Sequence, residues 1–527
     1  MSIDKSIQAH TSRSIVRSAG VIGFATLCSR ILGFIRDIII ARLFGVYVYA
    51  QAFVIAFKIP NLLRDFVGEG AANAAFVPVF SEYAVKHSRE EFWELAQVVL
   101  NILLVLLVSI TFLGIVFSPF IVRLIAPGFI ASPDKLEAAI TLNRLIFPYI
   151  ILISLTAFSM GILNALKHFT VPAFAPCLLN ISIIVCALIW GEGVTGLAVG
   201  VLLGGVLQLA VQLPVLYKKG FRFRLSGRFN HPAAHSMLKL MLPRVASSSI
   251  YQLNNFADSI FASLAWVVGE GGVAIMYFAY RLILFPLGIF SNALSQAVLP
   301  TFSRQALEDN RENMIRTLSF GLRATFFVMV PAAIGFMVLS RPIVSALFEG
   351  GRFDSYSARS TSQVLFFYSI GLCAYGGVKI LSSCFFALKD TVTPAKVSLV
   401  SLILNITLNA ILMFPLKLSG LALATSISGI ITFFVLLFRL RKKLGVFPLG
   451  PVAVSFRRVL IAGIGMGLAC YFAAQIKISL PGHTLEKAVN LLLPISAAVV
   501  SYIVLCLLLR VEQFGELHTW WRERNNK

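Results

Sequence analysis

Charge is scarce in this chain: Asp, Glu, Lys and Arg make up only 13% of its 527 residues, against roughly a quarter in a soluble domain. With 58% of the residues in the set AVILMFWYC and a mean hydropathy of +0.86, a soluble globular chain and a disordered one are both excluded. Paired cysteines are absent too. Cys28, Cys177, Cys186, Cys373, Cys384, Cys470 and Cys506 stand singly in apolar runs without a C-x-x-C motif, which excludes a disulfide framework or a zinc ribbon and makes them small hydrophobes. No G-x-x-x-x-G-K-[ST] loop occurs, so ATP does not drive the chain directly, and none of the seven histidines has a metal or triad partner at useful spacing. No enzyme is expected. The first apolar run contains Arg30, Arg36 and Asp37 and lacks a small-residue cleavage site, so a removable signal peptide is not expected either.

Long apolar runs are what the chain does have. A bilayer core takes about 20 apolar residues per helix, and such windows fall at 20–42, 46–66, 93–118, 138–165, 172–190, 194–217, 245–267, 273–300, 318–340, 362–386, 393–414, 418–438, 455–475 and 488–509. Gly or Pro punctuates most of the connections. Segment 71–90 sets Phe76, Val79, Phe80 and Tyr83 against Glu82, Lys86 and Arg89, the pattern of an interfacial amphipathic helix. The net charge of +22 reflects loops on one side of a membrane rather than nucleic-acid binding, and its densest clusters, Lys218 to Arg244 and Arg439 to Arg458, lie on the side shared by both termini. Both termini are therefore expected in the cytoplasm.

An internal repeat organises the spans. Ala75-Phe76-Val77-Pro78-Val79-Phe80-Ser81 returns as Ala297-Val298-Leu299-Pro300-Thr301-Phe302-Ser303, an offset of 222 residues. Ala165-Leu166-Lys167 with Pro172-Ala173 returns at the same offset as Ala387-Leu388-Lys389 with Pro394-Ala395, and Gly196-Leu197-Ala198 returns as Gly420-Leu421-Ala422. The expected fold is an all-α polytopic membrane protein of fourteen transmembrane helices. Two six-helix lobes, residues 1–220 (helices 1–6) and 221–445 (helices 7–12), form a pseudo-twofold parallel repeat around a central cavity. Residues 446–527 add helices 13 and 14 and a cytoplasmic tail.

Ionisable groups inside a membrane are costly, and each is a functional hypothesis. Span 1 carries Arg30, Arg36 and Asp37, span 2 carries Lys58, Arg64 and, at its end, Asp65 and Glu69, and span 8 carries Arg281. Ser29, Gly33, Arg36 and Asp37 share one helical stripe that can face the other lobe. Pro60 should kink span 2 beside Arg64. Arginine suits a multidentate oxyanion such as a diphosphate; the alternative is internal pairing with Asp37, Asp65 and Glu69 or snorkelling, the reading preferred for Arg144 and Arg323. Asn254 and Asp258 in span 7, Asn405 and Asn409 in span 11 and Thr425 in span 12 offer only oxygen ligands, which suit sodium or a proton relay. Interhelical hydrogen bonding explains the same residues.

Five blocks, Ser29-Arg30-Ile31-Leu32-Gly33-Phe34-Ile35-Arg36-Asp37, Phe57-Lys58-Ile59-Pro60-Asn61-Leu62-Leu63-Arg64, Glu69-Gly70-Ala71, Ala126-Pro127-Gly128-Phe129 and Pro172-Ala173-Phe174-Ala175-Pro176, occur in the order found in the MurJ (MviN) lipid II flippases. The chain resembles that family, within the multidrug/oligosaccharidyl-lipid/polysaccharide exporter superfamily, over essentially its whole length. The resemblance implies movement of lipid II, an undecaprenyl diphosphate bearing a disaccharide pentapeptide, from the cytoplasmic to the outer leaflet of the bacterial inner membrane by alternating access. It implies substrate-binding roles for Arg36, Arg64 and Arg281, with Arg30, Asp37 and Ser29 beside them, and a lipid-tail groove at helices 13 and 14. It also implies a sodium site at Asp258, Asn405, Asn409 and Thr425, where Asn409 replaces a carboxylate found in some members. No cofactor is expected beyond a coupling sodium ion or proton. Expected partners are lipid II, membrane lipids and cell-wall synthesis proteins, with no nucleic acid. Gln51, Tyr280 and Leu284 stand where family members often carry acidic residues. The competing readings are a cation-coupled drug or solute antiporter of the same superfamily and a non-transporting cell-wall scaffold.

Overall fold

A lipid-embedded backbone must satisfy its own N–H and C=O groups, which for an open chain means helix. The computed structural model describes residues 2–64, 76–191, 193–222, 231–445, 448–476, 478 and 483–513, with helical residues 2–19, 63, 64, 194, 235, 238, 240–251, 483–485 and 488 described by backbone alone. Among the described residues there is no strand beyond a single bridge between Gly350 and Phe353. Asp65, Glu69 and the start of the amphipathic segment, 71–75, lie outside them.

The chain divides into two compact units, Met1–Ser263 and Leu264–Lys527. The first contains α1 (Ser2–Phe44), α2 (Val48–Arg64), α3 (Val77–Lys86), α4 (Arg89–Val116), α5 (Ser118–Ile125) and α6 (Pro133–Ile146). It continues with α7 (Tyr149–Ala165), α8 (Thr170–Trp190), α9 (Val194–Ala210), α10 (Leu213–Lys219) and α11 (Pro232–Ser263). The second holds α12 (Ala265–Val268), α13 (Gly272–Pro286), α14 (Asn292–Leu307), α15 (Arg311–Phe348) and α16 (Ser355–Ile370). Its remaining helices are α17 (Leu372–Ala387), α18 (Val392–Leu444), α19 (Gly450–Gln475) and α20 (His483–Leu508).

Among the described residues nine helical stretches are long and apolar enough to cross a membrane, and the pair α16 and α17, bent by 45°, makes ten. Each expected window coincides largely with helix, in accord with fourteen spans. Two of them, the eleventh and twelfth, are fused in α18, which breaks at Lys417 (φ 52°, ψ −131°) after Pro415.

Helix ends follow local chemistry. Before α4, Ser88 and Glu91 form a capping box: the Glu91 amide donates to Ser88 Oγ at 3.2 Å and the Ser88 amide to Glu91 Oε2 at 3.3 Å. Asp354 accepts from the Ser357 amide at 2.8 Å to start α16.

The sequence repeat is also a repeat of conformation. At the end of α7 the Lys167 amide donates to Asn164 O and the His168 amide to Leu163 O. At the end of α17 Lys389 and Asp390 do the same toward Phe386 O and Phe385 O. Both lysines are left-handed, with φ 59° and 57°, so two Schellman motifs close the corresponding helices of the two copies. Gly196 and Gly420 recur for a steric reason: a Cβ would lie 2.8 Å from Trp190 Cβ at the first and 2.2 Å from Leu412 O at the second.

Each unit has its own core. Phe76, Phe80, Phe92, Phe158, Ile162 and Leu163 centre the first; Phe302, Leu318, Leu322, Leu381, Phe385 and Leu440 centre the second. The amphipathic helix α3 turns its apolar face into that first core, with the Phe80 ring 5.6 and 5.9 Å from those of Phe92 and Phe158, so protein rather than lipid headgroups covers it. A smaller cluster of Leu339, Met466, Cys470 and Ala498 joins α19 and α20 to α15.

Candidate functional site

The polar stripe of α1 is where the intramembrane charges gather. Arg36 and Asp37 are buried, 5% and 1% exposed. The guanidinium donates from Nη2 to Asp37 Oδ1 at 2.7 Å, from Nε to the same oxygen at 3.1 Å, and from Nη1 to Asn180 Oδ1 at 3.1 Å. Asn180, on α8, donates in turn to the Ser29 carbonyl at 3.2 Å and lies 3.5 Å from Ser29 Oγ. Gly33 lies against this amide, where a Cβ would make an ordinary contact at 3.6 Å from Asn180 Oδ1. The stripe meets α8 of its own unit, where one amide satisfies both the backbone of α1 and the arginine. Arg30, on the same helix, is exposed.

Helix α2 continues through Pro60 to Arg64; the Arg64 side chain lies outside the described residues. Two residues before Pro60, Lys58 donates to the Asn255 carbonyl and the Ser259 hydroxyl of α11. Asp258 of α11 acts electrostatically on Lys58.

In the second unit Arg281 is half-buried on α13. Its Nη2 donates to Tyr277 Oη at 2.8 Å, and its guanidinium carbon lies 4.8 Å from the centre of the Tyr277 ring. A guanidinium stacked on a ring one turn away is held in a fixed orientation, which suits recognition of an oxyanion. Tyr280, at one of the positions where the family often has an acid, packs its ring 5.6 Å from Tyr368. Gln51, at another, is 2% exposed.

The residues of the expected cation site fall in both units. Asn405, Asn409 and Thr425 do come together within α18: Asn409 donates to Asn405 Oδ1 at 3.0 Å, Asn405 donates to Thr425 Oγ1 at 3.2 Å, and Thr425 donates to Leu421 O at 3.1 Å. Two of those bonds run from amide nitrogens, which cannot ligate a cation. These bonds stitch the two halves of α18 together. Among the described residues no group of three or more His, Cys, Asp or Glu could hold a metal.

Sequence reading overlooked Asn180 as the partner of the α1 stripe. Its signal was the lone amide in the largely apolar run from Cys177 to Ile189. Arg323, read as snorkelling, is ion-paired with Glu512, whereas Arg144 is exposed.

Known proteins resemble this chain in sequence and in fold. A sequence model of the family described as "Lipid II flippase MurJ" matches residues 40–486. A protein of Buchnera aphidicola subsp. Acyrthosiphon pisum named "Probable lipid II flippase MurJ" is 36% identical over 426 residues, 80% of this chain and 83% of the relative. A solved structure of "Lipid II flippase MurJ, inward closed conformation" superposes with a TM-score of 0.77 at 29% identity, covering 92% of this chain and 98% of that one. An inward-facing multidrug resistance MATE family transporter of the MOP superfamily shares the fold, with a TM-score of 0.67 at 18% identity over 79% of this chain and 94% of that one. By sequence and by fold, the chain belongs to the MurJ family of lipid II flippases.

Proposed function

We propose that this protein flips lipid II from the cytoplasmic to the outer leaflet of a bacterial inner membrane, exposing a cationic site alternately to the two sides. Membership of the MurJ family across residues 40–486 carries the reading. It is a transporter, not an enzyme. A diphosphate is a doubly chelating oxyanion, and Arg281, whose fork is oriented by the hydroxyl and the ring of Tyr277, is the group best prepared to meet it. Arg36 acts differently. Its contacts with Asp37 and Asn180 make it the pole of a buried network, so its part in binding is to hold α1 on α8 and so position the site. Arg64 and Arg30 complete the proposed set.

On this reading both termini lie in the cytoplasm, which the basic loops support. Helices α19 and α20, packed on α15 and rich in exposed side chains such as Leu468, Phe472, Val500 and Leu508, form the apolar track along which the polyprenyl tail stays in the bilayer. Cell-wall synthesis proteins are proposed neighbours of the flippase in the same membrane. The antiporter and scaffold readings have no observation in their favour.

The test is Arg281→Ala and Arg281→Lys in cells depleted of their own lipid II flippase. Both variants should reach wild-type abundance in the membrane. Alanine should abolish rescue and lysine should restore it only in part, since a point charge replaces a fork. Full rescue by alanine would remove Arg281 from the substrate site.

A further inference from the structure

Helix α11 belongs to the second copy of the sequence repeat, yet it is compact with the first unit. Asn255, Ser259 and Ser263 lie at i, i+4 and i+8, a single face, and every one of them meets a donor from elsewhere in that unit. The Lys58 ammonium of α2 donates to the Asn255 carbonyl and to Ser259 Oγ, and rides 5.7 Å from the centre of the Phe256 ring. At the helix end the amide of Gly128, in the Ala126-Pro127-Gly128-Phe129 segment, donates to Ser263 Oγ at 3.0 Å.

Both serines spend their own hydrogens on their helix: Ser259 on Asn255 O at 3.0 Å and Ser263 on Ile260 O at 2.7 Å. That leaves only lone pairs facing outward. The α11 face is thus an acceptor surface, and what meets it, an ammonium and a backbone N–H, can only donate. Ser259 and Ser263 are 6% and 2% exposed, so water does not compete for these bonds. Immediately beyond them the helix stops at Leu264 (φ −76°, ψ 69°), and the second unit begins. The clasp therefore grips α11 right up to its C-terminal end.

We infer that Lys58 and the Gly128 amide form a clasp on the Asn255–Ser259–Ser263 face that pins α11 to the first unit, making Lys58 a positioning residue for the conformational cycle rather than a ligand of the substrate. The charge of Lys58 is then explained without lipid II: a half-buried ammonium grips two neutral oxygens of α11, and the charge of Asp258 on the same helix acts on it as well.

The purpose of the clasp rests on the transport reading, but its existence does not, and the two are tested separately. Hydrogen exchange is followed by mass spectrometry on the full-length protein in lipid nanodiscs for wild type, Lys58→Met, Lys58→Arg and Ser259→Ala, alongside flipping by each. Lys58→Met and Ser259→Ala should speed exchange across residues 255–263 by about tenfold while peptides from α15 exchange as in wild type. Lys58→Arg, which still donates, should keep the protection. Flipping should fall in Lys58→Met and persist in Lys58→Arg. Wild-type protection of α11 in Lys58→Met would overturn the clasp, and lost protection with wild-type flipping would overturn its role in the cycle.

Discussion

Arg36 carries two duties that a single substitution cannot separate. Removing it leaves the Asp37 carboxylate, 1% exposed, without the two guanidinium bonds it accepts at 2.7 and 3.1 Å, and breaking a buried pair costs about 3–5 kcal/mol. Arg36→Ala should therefore unfold at a clearly lower temperature than the double variant Arg36→Ala with Asp37→Asn. Thermal unfolding in detergent checks the order, and equal loss in both would show that the pair is not what holds α1. Asp390 offers a cleaner electrostatic case outside the membrane. Burial alone would raise its carboxyl, but the hydrogen bond from Lys443, the amide and hydroxyl of Thr393 and the charge of Lys443 outweigh it and bring the pKa to about 2. Lys443 Nζ is 2.6 Å away. A carboxylate with a depressed pKa stabilises the fold fully above its unfolded value near 3.8 and loses that contribution as pH falls through about 2. Asp390→Asn should lower the unfolding temperature at pH 7, and the gap to wild type should close as pH falls across that window.

The helix ends show why the repeat is legible in the sequence. Lys167 and Lys389 occupy the same left-handed position in two Schellman turns, and a non-glycine residue there costs about 1 kcal/mol. Lys389→Gly should be neutral or stabilising and Lys389→Val destabilising in the same unfolding assay. Gly420→Ala should reduce folded protein sharply, because its Cβ would meet a backbone oxygen at 2.2 Å that cannot give way; normal abundance would show that the turn after Lys417 can open to admit a methyl group. Hydrophobic run lengths revealed the spans, and lone charges such as Arg36 and Arg281 stood out by contrast with them. Partners did not. Nothing in the spacing of α1 says that its stripe meets Asn180 on α8, or that Ser259 answers Lys58, because those pairings are set by packing between helices distant in sequence. Asn405, Asn409 and Thr425 show the reverse limit: the i, i+4 pattern brought them together correctly, but residue type alone does not carry the direction of the hydrogen bonds that join them.

At the scale of the whole molecule, a duplicated helical membrane fold, cationic groups within its spans and membership of a lipid II flippase family join into a single transport function. The basic loops predict a cytoplasmic position for the end of α18. A thiol reagent that cannot cross the membrane should label a cysteine introduced at Lys442, in the basic segment that ends α18, only after the cells are permeabilised; labelling of intact cells would reverse the topology. The most direct test of the function is the amount of lipid II on the outer leaflet of cells depleted of their own flippase and supplied with this chain. Outer-leaflet lipid II should return to the level of undepleted cells with wild type and stay low with Arg281→Ala at equal abundance in the membrane. An abundant, correctly inserted wild type that leaves lipid II on the cytoplasmic leaflet would contradict the assignment.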